Sequence, residues 1–150
     1  MEKVTLFVIH FFILLGAERM KRLILFRHAK SDWSRLGGAT SYLKDIERPL
    51  SKRGRNACEK ISEFFSSIQL HVDLVEYSPA KRATETFSLT KESFSFLTCK
   101  ENSKLYTFDS RNLMQEISTK SNKLSDFLLI GHNPAIEDLI GTLVPPEQNS

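Results

Sequence analysis

Two apolar runs, Leu23-Ile24-Leu25-Phe26 and Phe127-Leu128-Leu129-Ile130, contain no polar residue. Unbroken runs of this length mark strands buried on both faces of a parallel sheet. Leu74-Val75-Glu76-Tyr77, ended by Ser78-Pro79, reads as a further strand, and Ser95 to Cys99 as a fourth. Between them the period changes. Ser51 offers a cap ahead of Ala57, Ile61, Phe64, Phe65 and Ile68, which recur at helical spacing. Ala80 to Leu89, Ser110 to Lys120 (with Leu113, Met114 and Ile117 apolar) and Ala135 to Leu143 are the other helices. Ser31 to Asp45 is polar, carries Gly37-Gly38 and reads as a loop. The alternation predicts an α/β fold with a mostly parallel central sheet and helices on both faces.

The N-terminus departs from that alternation. Val4 to Ala17 is an apolar stretch of 14 residues broken by Thr5 and His10. A membrane span needs about 18 to 20. The leader Met1-Glu2-Lys3 and the lack of a small-x-small site fit a cleaved signal poorly. Met20-Lys21-Arg22 directly precedes the first buried strand. Residues 1–19 are therefore expected to be an extension upstream of a single domain, 20–150, with Val4 to Leu15 outside the core as a loosely docked helix. A cleaved signal and a membrane-associated helix are the alternatives, and no membrane contact is expected otherwise.

Composition narrows the class. The chain has 150 residues, 41% hydrophobic and 26% charged, which suits one globular domain. Such a domain buries roughly 70% of its unfolded surface and needs no covalent staple. Two cysteines, Cys58 and Cys99, exclude a disulfide scaffold and a zinc ribbon. Both are expected as reduced core residues, which suits the cytoplasm. The net charge of +3 modestly favours small anionic substrates and argues only weakly for nucleic acid, so no nucleic-acid partner is expected.

Ligands of parallel sheets sit outside the carboxyl ends of the strands. Three strands end in reactive residues: Arg27-His28-Ala29-Lys30-Ser31, Ser78-Pro79-Ala80-Lys81-Arg82, and Gly131-His132-Asn133-Pro134. His28 and His132 lie 104 positions apart, yet the fold would bring them together. Two arginines and two histidines around one cleft suit a tetrahedral dianion, a phosphoryl group. Neighbouring arginines also disfavour the cationic histidine, which keeps it neutral and nucleophilic. Arg27, Arg82 and His132 would hold the oxygens while His28 attacks in line.

These residues stand in a larger pattern. Leu23 to Trp33 resembles the opening of the histidine phosphatase superfamily, whose mark is Arg-His after the first strand. Three further blocks follow in family order and are most similar to the SixA-like branch, the phosphohistidine phosphatases. D-x-x-R-P-L-x-x-R-G stands at Asp45 to Gly54, S-P-A-x-R-A-x-x-T at Ser78 to Thr86, and G-H-N-P at Gly131 to Pro134.

The resemblance implies a phosphoglycerate-mutase-like fold, a phosphorylated His28, and a phosphate pocket of Arg27, Arg82 and His132. Ser31 and Asn133 are further substrate-binding candidates. It implies no metal or organic cofactor, and His10, His28, His71 and His132 lack zinc-motif spacing. The expected partner is a protein of the histidine-phosphotransfer type carrying phosphohistidine. A small-molecule phosphomonoesterase and a phosphate-binding module without turnover are the alternatives. An alcohol leaving group would need a general acid, for which Asp45, Glu47 and Asp109 are positional candidates only. Family members continue into another strand after the last helix. This chain stops at Ser150, so a C-terminally truncated domain lacking that strand is expected.

Overall fold

The computed structural model describes residues 6–11, 21–34, 44–120 and 124–144. Five strands form one sheet: β1 (Leu6–Phe11), β2 (Lys21–Arg27), β3 (His71–Tyr77), β4 (Ser95–Glu101) and β5 (Asp126–Gly131). Their order is β1-β2-β5-β3-β4. All neighbours run parallel except β1, which pairs antiparallel with β2 at one edge, Leu6 opposite Phe26 and Phe11 opposite Lys21. This differs from the helix expected over Val4 to Leu15. A mostly apolar run without alternation fits either element, and β2 offers a free edge whose backbone groups need partners. Gly37-Gly38 and Pro145 to Ser150 lie outside the described residues.

Among the described residues the four α-helices are α1 (Lys52–Ser67), α2 (Lys81–Thr90), α3 (Ser110–Ser118) and α4 (Ala135–Leu143). Alternation along the buried strands assigns each residue a face. Ile24, Phe26, Leu128 and Ile130 pack with Phe65 of α1 and Ala83 and Phe87 of α2. Leu23, Leu25, Phe127 and Leu129 pack on the other face with Leu113 of α3 and Ile136 and Leu139 of α4. Within α1, Gly54, Cys58 and Phe65 are buried and Ile61 packs against the cluster that holds Phe65, whereas Phe64 and Ile68 are about half exposed. Phe64 and Ile68 therefore stand outside the core stripe expected of them. Cys99 is exposed on the edge strand β4, not in the core as expected, while Cys58 is buried.

Candidate active site

Strand register assembles the site. Arg27 pairs with Gly131 at the carboxyl ends of β2 and β5, and Tyr77 pairs with Ile130. The next residues continue the match: the His28 N–H donates to the Gly131 carbonyl (3.1 Å) and the Ser78 N–H to the Ile130 carbonyl (3.0 Å). His28, Ser78 and His132 thus meet at one sheet edge, with the two imidazole centroids 5.1 Å apart. Arg82 enters from the first turn of α2 and is almost fully buried.

Hydrogen bonds define both histidine tautomers. His28 Nδ1 lies 2.7 Å from the Ala29 carbonyl, which can only accept, so Nδ1 carries the proton. Its Nε2 therefore holds a lone pair and accepts from Arg82 Nε at 3.2 Å. Arginine cannot accept, so the Arg82 Nη2 contact at 3.4 Å makes His132 Nδ1 the acceptor. His132 Nε2–H donates to Ser78 Oγ at 2.7 Å.

Both rings are held neutral. Burial, reinforced by Arg82, Arg27 and Arg48, lowers His28 to about 4 despite the opposing bond to Ala29. Burial, then His28 and Arg82, lowers His132 to about 3, with Asp45 opposing. A neutral imidazole nitrogen beside a buried guanidinium is chemically able to attack an electrophilic centre whose anionic oxygens that guanidinium binds.

A carboxylate also faces the cluster. Asp45 accepts from Arg82 Nη2 through Oδ2 (3.0 Å), from Arg48 Nη2 through Oδ1 (2.8 Å), and from the Tyr106 hydroxyl (2.6 Å). Its backbone carbonyl accepts from Arg82 Nη1 at 2.7 Å. Partial burial pushes this carboxyl upward, but Tyr106, Arg48 and Arg82 outweigh it and hold the group well below the ordinary carboxylate range. The other acid candidates are engaged elsewhere. Glu47 caps the Lys44 N–H, and Asp109 caps α3 and pairs with Arg111.

A second layer fixes the loop that carries His28. Thr86 Oγ1, fully buried, accepts the Ala29 N–H (3.0 Å) and donates to the Arg82 carbonyl one turn back (2.7 Å), so one hydroxyl ties both site segments. The Lys30 carbonyl accepts from the Ser51 N–H and hydroxyl, while Ser51 Oγ caps α1 by accepting from Gly54. Gly54 is required here because a Cβ would stand 2.1 Å from the Lys30 carbonyl oxygen. Ser31 is buried, with its hydroxyl bonded to Arg48. The Arg48 guanidinium lies 3.7 Å over the ring of Trp33, itself 62% exposed. Asn133 has a buried Oδ1 without a hydrogen-bond partner among the described residues.

His28, Arg82 and His132 therefore come together, Arg27 adjoins them at the end of β2, near enough for its charge to act on His28, and Ser31 joins them through Arg48. Asp45 as an arginine partner, Tyr106 and Thr86 were not anticipated. Thr86 had a signal, as the closing residue of the S-P-A-x-R-A-x-x-T block. Tyr106 had none, because its partner Asp45 lies 61 positions away.

Known proteins share this architecture. A putative phosphohistidine phosphatase SixA from Agrobacterium tumefaciens superposes with a TM-score of 0.72 at 23% identity, over 83% of this chain and 77% of that one. A protein histidine phosphatase SixA complexed with tungstate gives 0.68 at 20% identity, over 83% and 78%. A putative α-ribazole-5′-P phosphatase from Escherichia coli gives 0.61 at 19% identity, over 83% and 80%. An uncharacterized chloroplastic protein of Arabidopsis thaliana is 41% identical over 66 residues, which is 44% of this chain but only 28% of that protein. Residues 23–140, which contain every site residue described above, match the family model of the histidine phosphatase superfamily (branch 1), and the chain belongs to that superfamily.

Proposed function

We propose that this chain is a phosphatase that removes phosphoryl groups from phosphohistidine on proteins, through a covalent phosphohistidine on His28. One observation carries the reading: the bond from His28 Nδ1 to Ala29 leaves the Nε2 lone pair beside the Arg82 guanidinium. In the first step Nε2 attacks phosphorus and the substrate's P–N bond breaks. Its electron pair departs with the substrate ring, whose other nitrogen already carries a proton, so that a neutral imidazole leaves. In the second step water attacks the phosphoryl group on His28, the new P–N bond breaks, and the pair returns to Nε2. The proton of that water passes to solvent. Arg27 and Arg82 bear the charge on the non-bridging oxygens. His132 becomes a donor to the phosphoryl group only when protonated, a state that a bound dianion favours.

The leaving group is the reason for choosing phosphohistidine. Asp45 is held ionised, and Glu47 and Asp109 serve as caps, so none of these three candidates is a proton donor in the site at neutral pH. An alkoxide, with a conjugate acid near that of water at about 15.7, would leave poorly without one. An imidazole, whose conjugate acid is near 6.5, leaves far more easily. The likeness to proteins described as SixA supports the same substrate class. A histidine-phosphotransfer domain is the expected partner.

The test is a substrate panel with trapping. Turnover of a phosphohistidine protein well above that of sugar phosphates, with label caught on His28 and lost in His28→Ala, is the expected result. Preference for sugar phosphates would replace the reading with a phosphomonoesterase. Phosphate binding without turnover or label would reduce the chain to a binding module.

A further inference from the structure

Most of the Arg82 donors that should grip a phosphoryl group are already occupied. Arg82 has five N–H bonds to give. Four are engaged: Nε–H with His28, one Nη1–H with the Asp45 carbonyl, and both on Nη2 with Asp45 Oδ2 and His132. Arg48 spends one Nη1–H on Ser31 and one Nη2–H on Asp45 Oδ1. One carboxylate thus bridges two guanidiniums, oxygen by oxygen, in the way a phosphoryl group would bridge them. A dianion brought to the same donors would also meet the carboxylate's negative charge in a partly buried setting, where repulsion is poorly screened.

We propose that the Asp45 carboxylate is the resident anion of this pocket. It competes with the phosphoryl group for Arg82 and Arg48, and so sets how tightly substrate binds and how readily inorganic phosphate leaves. The inference rests on the reading of this cluster as a phosphate pocket. Two features let the carboxylate yield without dismantling the site. Its side chain keeps 41% exposure, so it has solvent to move into. The bond from Arg82 Nη1 goes to the Asp45 backbone carbonyl and does not depend on the side chain. The Tyr106 hydroxyl, 2.6 Å from Oδ2, sets how firmly the competitor is held.

The alternative role for Asp45 is a fixed brace that orients Arg82, and it predicts the opposite sign. Titration of the full chain with inorganic phosphate, followed by calorimetry, separates the two. Asp45→Asn removes the charge but keeps an acceptor for Tyr106, and should tighten phosphate binding by about tenfold, the gain expected when an occupied site is freed. Tyr106→Phe should tighten it by less, in the same direction. KM and the inhibition constant for phosphate should fall together. Unchanged or weaker phosphate binding in both variants, with the parent chain still binding, would overturn the competitor role and leave the pocket reading intact. Should Asp45→Asn fail to fold, Tyr106→Phe decides by the same sign. No phosphate binding by any of the three proteins would remove the pocket reading and this inference with it.

Discussion

Arg82 Nε donates to His28 Nε2 across 3.2 Å, so in the proposed reaction the attacking nitrogen is capped by the side chain that would bind the substrate. One event can resolve both interactions. A phosphoryl oxygen that takes the Arg82 N–H uncovers the lone pair at the moment the phosphorus arrives. The nucleophile then stays masked in the absence of an anion.

Arg82→Lys should lower the rate by about 10² to 10³, the scale seen when one transition-state donor is removed. An ammonium keeps the charge but cannot reach His28, Asp45 and His132 from one planar fork. Single-turnover measurement on a phosphohistidine substrate checks this. Full activity in the lysine variant would mean that Arg82 supplies only diffuse charge.

The pH dependence follows from the two depressed histidines. Activity in kcat/KM should persist below pH 6.5 and decline toward about 4, where free His28 gains its proton. Stability carries the same sign. Between pH 6.5 and about 4 the unfolded chain binds protons that folded His28 and His132 refuse, so stability falls as pH drops through that window and is flat above it. Urea unfolding at several pH values, run beside the rate profile, measures both. A rate inflection at 6.5 would show that His28 titrates as an ordinary histidine.

Gly54→Ala should damage the site from a distance. The added methyl would stand 2.1 Å from the Lys30 carbonyl oxygen, a backbone atom that cannot turn aside. Either α1 or the His28 loop must shift, at about 1–3 kcal/mol. Melting temperature and turnover should both fall. A variant with parent-like values for both would show that the Ser51–Lys30 junction is slack.

Deleting residues 1–19 removes β1 and strips β2 of its antiparallel partner. The melting temperature should drop by roughly 5 °C or more, equivalent to a kcal/mol or two at this size. Calorimetry of the shortened and full chains reads it directly. Equal melting temperatures would restore the view of this segment as an appendage.

What the sequence disclosed depended on how local each signal is. Arg27-His28, Arg82 and His132 follow apolar strands or a helix start directly, so alternation alone carried them to one sheet edge. The Asp45–Tyr106 and Thr86–Ala29 bonds join residues 61 and 57 positions apart, and no periodicity records such a pairing. Leu6–Phe11 was misjudged because an apolar run without alternation fits a helix or an edge strand equally. Glu76 is a similar case. It is a charged residue in a buried strand, made tolerable by Lys120 Nζ at 2.6 Å and Asn102 at 2.9 Å, which only the fold brings near.

The position of β5 has a consequence for how the protein comes into being. β5 lies between β2 and β3 in the sheet but follows both in the chain. Arg22 and its partner Asp126 are separated by 104 positions, so the central pairing closes a very long loop. A chain emerging from the ribosome could build α1 and α2 early, yet His28 and Ser78 would have no common strand to align them. Pairing of this range is slow to form. His28 and Arg82 would therefore be brought together only once β5 has been made, and under the proposed function a nascent chain still lacking β5 would neither bind phosphate nor become phosphorylated.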